Sequence, residues 1–210
     1  MPALPDPRYD IQSEAELSSR FDAVKEASIV KELDHVDANY AAWIAASPFF
    51  VLCSAGPAGL DASPRGDAPG FVEVLDPKTL LIPDRRGNNR IDSLRNLVND
   101  PRLALLFLIP GLGETLRVNG RARLSADPTL QAHFTVRGHA PKLVIVMTVD
   151  AAYFQCSRAI VRSDLWNAER HVARSSLPSP GKILADATAG KIEAGTYDRE
   201  LPGRIASTLY

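Results

Sequence analysis

Three stretches of this chain repeat one pattern: an apolar run, a turn rich in Gly or Pro, and a second run. FFVLCSA (49–55) and LDASPRGD (60–67) flank GPAG, FVEVL (71–75) and TLLIP (79–83) flank DPK, and RLALLFLIP (102–110) passes through GLGE into TLRVNGRARLS (115–125). Gly, Pro and Asp in such short connections favour tight turns, so each stretch predicts a strand pair. RLALLFLIP predicts a strand buried on both sides. TLRVNGRARLS alternates apolar and polar residues like a half-exposed strand, and Asn119-Gly120 inside it predicts a bulge or bend. KLVIVMTVDAAYFQCSRA (142–159) adds one long strand or two consecutive ones.

Helices come only at intervals. Phe21, Val24, Ile29, Leu33, Val36, Tyr40, Trp43 and Ile44 recur at helical spacing and predict two helices within residues 14–46, broken around Leu33 to Asp37 and finished before Pro48. Another is expected from Asp92 to Asn99, stopped by Asp100-Pro101. A further one runs from Pro128 to about Val136, with Asp127 as its cap. After residue 160 the composition turns polar and reads as an arm with short helical pieces. Mostly antiparallel strands with intermittent helices define an α+β fold built on a small β-barrel or sandwich. The expected organisation is a helical arm (1–30), a barrel domain (31–174) and a second arm (175–210).

With 210 residues, 45% of them apolar, the chain can build a real core. Its 24 Lys and Arg against 25 Asp and Glu leave no global field that predicts a nucleic acid or an anionic membrane as partner. No apolar run approaches the roughly 20 residues that span a bilayer, and the acidic, Pro-rich start is no basic leader, so a cytoplasmic location is expected. Cys53 and Cys156 form no metal-ligand spacing with each other or with His35, His133, His139 and His171. No metal is expected, and both thiols read as buried and reduced.

Electrostatic function must therefore be local, and one segment is built for it. In LLIPDRRGNNRIDSLRN (80–96), apolar residues run into Asp84, Arg85, Arg86, Gly87, Asn88, Asn89 and Arg90 before a helix begins. Guanidinium and amide groups beside the N–H groups of a helix start attract a phosphate or carboxylate, and Gly87 lets the backbone approach a ligand. The alternative is a solvated turn whose arginines pair with Asp84 and Asp92. SPRGDAPG (63–70) places Ser63 and Arg65 at the end of another strand, a second corner suited to an anion.

The segments SPRGD, IPDRRGNNR, ETLRVNGRA and RSDLW together resemble the pyridoxamine 5'-phosphate oxidase-like, FMN-binding split-barrel family, in particular a bacterial subgroup of flavin-nucleotide-binding proteins. The likeness runs from around residue 20 onward and includes LPSPGKIL. It implies a six-stranded Greek-key split β-barrel with flanking helices, paired as a homodimer with FMN in clefts between the two copies. It also implies that Ser63, Arg65, Arg85, Asn88, Asn89 and Arg90 hold the flavin phosphate, with Ile82 and Pro83 beside the ring. Arg158, Arg162, Ser163 and Trp166 then stand near the partner copy's flavin or substrate. Trp166 is equally readable as a packing anchor, and Arg117 either reaches across the dimer or lies on a solvated strand face.

The implied activity is flavin-mediated hydride or electron transfer on a small molecule, with no catalytic side chain assigned. A His often stands in the subgroup where this chain has Gln155, a departure that leaves the resemblance without support for an acid–base role at that position. The true oxidases carry an arginine-rich strand where this chain reads ELPGRIASTLY, which argues against pyridoxamine phosphate as substrate. The alternatives are an FMN-binding or storage protein without turnover, or a split barrel that uses haem or F420, since one fold hosts many functions.

Overall fold

The computed structural model of the protein describes residues 4–210. The chain divides into two compact units, one up to Glu32 and the other from Leu33 to Tyr210. The first carries a 3-10 turn at Pro7–Tyr9 and two short helices, α1 (Glu14–Ser18) and α2 (Glu26–Ile29). Helical spacing predicted two helices across residues 14–46, but there are three, and Phe21, Val24 and Ile29 are exposed rather than aligned on a buried stripe. Helices of five and four residues are too short to present a continuous apolar face.

The second unit opens with α3 (Ala38–Ala46), capped by Asp37, whose carboxylate accepts the Tyr40 N–H at 2.8 Å. The strands β1 (Phe49–Gly56), β2 (Gly59–Gly66), β3 (Glu73–Asp76), β4 (Thr79–Pro83), β5 (Arg102–Leu108), β6 (Thr115–Ser125) and β7 (Val144–Gln155) follow, with α4 (Asp92–Asn99) and α5 (Pro128–His133) between them. Beyond β7 come α6 (Arg158–Ser163), α7 (Pro180–Ala187) and α8 (Ala194–Ser207). Among the described residues no helix is long and apolar enough to cross a membrane.

All pairings are antiparallel, in the order β2-β1-β5-β6-β7-β4-β3. The sheet has seven strands, not the six that the resemblance implies. Ala68-Pro69-Gly70, with Gly70 at φ 85°, cannot stay extended, so the run from Gly59 to Asp76 breaks into two strands.

Those two strands, consecutive in the chain, lie at opposite edges of the sheet. Crossing a flat sheet of this order would need about 29 Å at ~4.8 Å per strand spacing. The seven residue steps from Gly66 to Glu73 reach at most about 25 Å. The sheet must roll up, and it does. Phe50 and Leu52 of β1 share one core with Leu80 and Ile82 of β4, and Phe71 on the crossing segment stacks on Phe50 with centroids 5.6 Å apart. This is the split-barrel fold of the α+β class.

Leu105, Phe107, Leu116, Val118 and Met147 fill the interior, and α3 and α4 close it with Ile44, Leu94 and Leu97. Outside, α5 covers β4 and β7, where Leu81, Val144 and Val146 pack on Phe134. Double coverage explains why LLIP and VIVM read as unbroken apolar runs. β5 corrects the expectation of burial on both sides: Leu103, Leu105 and Phe107 are buried while Ala104, Leu106 and Leu108 are only half-buried. The thiol expectation also fails, since Cys53 and Cys156 are both exposed. Cys53 points away from the core between Ala62 and Ala104, and Cys156 follows the end of β7.

The ladder is irregular at Asn119-Gly120 as expected, although the extra residue stands in the neighbouring strand β7. Asn119 pairs with Ala151 and Gly120 with Val149, so Asp150 is the extra residue of a bulge. A Cβ at Gly120 would lie 2.1 Å from the Thr148 carbonyl oxygen, so only glycine permits this approach. Gly120→Ala is expected to destabilise the barrel by about 2–3 kcal/mol, read as a lower urea midpoint at unchanged slope. An unchanged midpoint would show that the two strands separate there without penalty.

Candidate functional site

The arginine-rich joint begins where β4 ends. Asp84 continues the ladder by one bond, donating its N–H to the Leu143 carbonyl at 3.0 Å, and the chain then turns irregularly toward α4. Asn89 (φ 59°) and Ile91 (φ 53°) make the turn in left-handed conformation. Gly87 is not among the positive-φ residues, which corrects the expectation that glycine supplies the joint's unusual geometry. Asparagine tolerates that region, but a β-branched residue there is strained by about 1–3 kcal/mol. The Asn88 side chain accepts the Arg90 N–H at 3.0 Å, and the exposed Arg90 pairs with Asp92 at 2.7 Å.

β2 supplies the other wall. Asp61, Ser63 and Arg65 alternate on the face shared with Ser54, Leu52 and Phe50, so an edge strand presents polar groups where its neighbour presents core. Arg65 donates Nη1 to Asp84 at 2.6 Å and Nη2 to the Ser93 hydroxyl at 3.3 Å. Ser93, buried in the first turn of α4, donates in turn to Asp61. Arg85 crosses the other way, its Nε bonding Asp67 at 2.5 Å and its Nη1 the Phe134 carbonyl at 2.6 Å. The side chains are 22% exposed at Arg65, 16% at Asp84, 15% at Arg85 and 3% at Asp67. Two reciprocal ion pairs thus tie the end of β2 to the end of β4.

Of the solvated-turn reading only the pair Arg90–Asp92 is present, since Asp84 is taken by Arg65 of β2 and Arg85 turns to Asp67, and the paired groups retain hydrogen-bonding capacity. The buried Arg65 Nε has no partner, and Arg86 joins no ion pair among the described residues. A buried donor without an acceptor is rare and calls for a partner such as an ordered water, an ion or a ligand. Ile82 and Pro83 are buried at the end of β4, Ile82 within the core. Ser63 is half-buried one alternation before Arg65.

The remaining candidates form a separate group. Arg117 lies on the outer face of β6, opposite Tyr153, and donates to its hydroxyl at 2.9 Å with the guanidinium 5.5 Å from the ring centroid. Arg158 and Arg162, one turn apart on α6, line a shallow concavity with Ser157 and Val161. Arg162 Nε donates to the Arg158 carbonyl, and the Ser163 hydroxyl to that of Ile160. Trp166 anchors its indole N–H on the Leu112 carbonyl at 2.7 Å. Among the described residues no hydrogen bond or ion pair joins this group to the corner at Arg65 and Arg85. Sequence reasoning missed Asp61, Ser93 and Asp67. Asp61 and Asp67 had a visible signal, since they continue the alternation of Ser63 and Arg65 on either side. It also missed Tyr210, which reaches Asp67 from 143 positions away.

The profile of the family described as Pyridoxamine 5'-phosphate oxidase matches residues 36–156, more than half of the chain. The protein belongs to that family. No curated protein sequence matches it. Among solved structures it is similar to HupZ of Group A Streptococcus, at 13% identity and TM-score 0.48, covering 58% of this chain and 95% of that one. General Stress Protein 26 of Bacillus anthracis gives 16% identity and TM-score 0.40 over 54% and 88% of the two chains. An FMN-binding protein of Syntrophomonas wolfei gives 10% and 0.40 over 50% and 75%.

Burial pushes the Asp67 carboxyl up, but bonds from Tyr210, the Ala68 N–H and Arg85 outweigh it and hold the carboxyl below its ordinary value. A carboxyl lowered in the folded state adds stability above its unfolded value, near 4, and that stability is lost as pH falls through the folded one. Asp67→Asn is therefore expected to be less stable than the parent by about 2–3 kcal/mol at pH 7, with the difference shrinking below about pH 4. Urea midpoints from pH 7 to pH 3 measure this against a shared background from Asp34, Asp100 and Glu193, each held at about 2. A difference that stays constant with pH would mean that the Asp67 carboxyl does not titrate differently on folding.

Proposed function

We propose that the protein binds FMN at an interface between two copies of the chain and uses it to move hydride or electrons to or from a small molecule. The observation that carries this reading is the unpartnered buried Nε of Arg65, beside the hydroxyl-bearing Ser63 and the crossed Arg85 pair. A phosphate monoester, mostly dianionic near neutral pH, supplies the oxygens such donors need. Membership in the pyridoxamine 5'-phosphate oxidase family supports the same ligand. Ser63, Arg65, Arg85, Asn88, Asn89 and Arg90 would hold the phosphate, and Ile82 and Pro83 would flank the ring.

A bound flavin supplies the redox chemistry itself, accepting and releasing a hydride or single electrons, while the chain supplies binding, orientation and exclusion of water. Arg65 and Arg85 are held by Asp84 and Asp67, so a phosphate would meet donors already in place. The second copy belongs to the proposal for a physical reason. Val51, Leu106 and Tyr153 form a half-buried row across the outer sheet face with Arg117, and Val161 and Trp166 are exposed beyond it. Covering these surfaces with a second chain would bring Arg117, Arg158, Arg162, Ser163 and Trp166 to the partner's flavin.

The test is titration of the purified protein with FMN and with riboflavin, which lacks the phosphate. Arg65→Ala is expected to weaken FMN by about 10- to 100-fold and leave riboflavin nearly unchanged. Equal weakening of both would place Arg65 away from the phosphate, and no uptake of FMN by the parent protein would remove the flavin reading. Reduction of the bound flavin by NADH or NADPH in stopped flow separates turnover from storage.

A further inference from the structure

We infer that Tyr210 is a positioning residue for the phosphate corner, a latch that fixes Asp67 and through it Arg85; this rests on the phosphate reading above. The Tyr210 hydroxyl donates to Asp67 Oδ1 at 2.7 Å, the oxygen that also accepts the Ala68 N–H, while Oδ2 takes Arg85 Nε. On its other side the Tyr210 ring lies beneath the Arg137 guanidinium, 5.1 Å from the centroid. Arg137 belongs to the loop after α5, where Arg137 (φ 51°) and Gly138 (φ 79°) turn the chain and a bridge joins Val136 to His139. The same loop provides the Phe134 carbonyl that accepts Arg85 Nη1.

The contacts form a closed circuit: Arg85 to Asp67, Asp67 to Tyr210, Tyr210 to Arg137, and the loop back through Phe134 to Arg85. Each member is restrained on two sides. A guanidinium so restrained keeps three of its five N–H groups, two on Nη2 and one on Nη1, in fixed places, and a ligand phosphate gains most from donors whose ordering precedes binding. Removing the Tyr210 hydroxyl leaves Asp67 with two donors instead of three. The segment that carries Asp67 then loosens, and Arg85 loses the restraint that aims it.

The experiment compares the full chain with Tyr210→Phe, which keeps the ring beneath Arg137, and with Arg137→Met, which removes the stacking cation. Without ligand, hydrogen exchange of residues 67–72 is expected to quicken in Tyr210→Phe, because the Ala68 N–H shares its acceptor with the lost bond. In titrations the same variant is expected to bind FMN roughly tenfold more weakly, with riboflavin unchanged. Arg137→Met should shift both readouts in the same direction. Unchanged exchange overturns the latch. Faster exchange with an unchanged ratio of FMN to riboflavin affinity overturns the positioning role. Faster exchange in a protein whose parent takes up no FMN supports the latch and removes the flavin reading, and protection of residues 67–72 by inorganic phosphate in the parent but not in Tyr210→Phe then tests the corner alone.

Discussion

The crossed ion pairs Arg65–Asp84 and Asp67–Arg85 are the constraint on which the rest depends. β2 is an edge strand, yet the face it shares with the core strand β1 carries Asp61, Ser63 and Arg65 where apolar residues would otherwise close the barrel. Two charged pairs held away from water seldom add much net stability, because desolvation offsets their attraction. What they supply is geometry. Each arginine has one aspartate and one further acceptor, Ser93 for Arg65 and Phe134 for Arg85, so each guanidinium plane is fixed from two sides. The aspartates also balance the two charges, which lets both arginines lie mostly out of water.

Stability comes from elsewhere. Phe50, Leu52, Leu105, Phe107 and Leu116 are fully buried, and each contributes about 1.5–3 kcal/mol by leaving water. This apolar interior does no chemistry, but it sets the address of every polar group at the corner. Phe50 stands opposite Arg65 in the ladder, Leu94 and Leu97 seat α4 so that Ser93 meets Arg65, and Val144 pairs with Pro83 so that Asp84 ends the strand.

Local signals were legible in the sequence because local physics decides them. β4, β6 and α4 occupy the residues that alternation, turn chemistry and the Asp100-Pro101 stop mark out, and the register of β6 shifts at Asn119-Gly120, opposite the extra residue of β7. Residue types alone marked Ser63, Arg65 and Arg85 as suited to an anion, and the structure places Arg65 and Arg85 in neighbouring ion pairs. Composition could not assign the exposed thiols, because the apolar run FFVLCSA does not reveal that Cys53 stands on the outer sheet face. Nor could spacing show that Arg65 is paired across the barrel with Asp84, 19 positions on, or that Tyr210 returns to Asp67. Those contacts depend on how the sheet rolls, and the roll follows from two consecutive strands occupying opposite edges.

The strain at the joint fits the same logic. Ile91 is held at φ 53° although its side chain resists that conformation, and its carbonyl accepts the Arg95 N–H at 2.9 Å to start α4. Starting the helix there puts Ser93 in its first turn, within reach of both Arg65 and Asp61, and lays Leu94 and Leu97 into the core. Core burial of those two leucines exceeds the strain of one left-handed residue. The backbone is therefore bent by packing, and the bend delivers a helix start, a hydroxyl and two restrained arginines to one point. A charged corner assembled this way is a property of the barrel's closure, not an ornament on a loop.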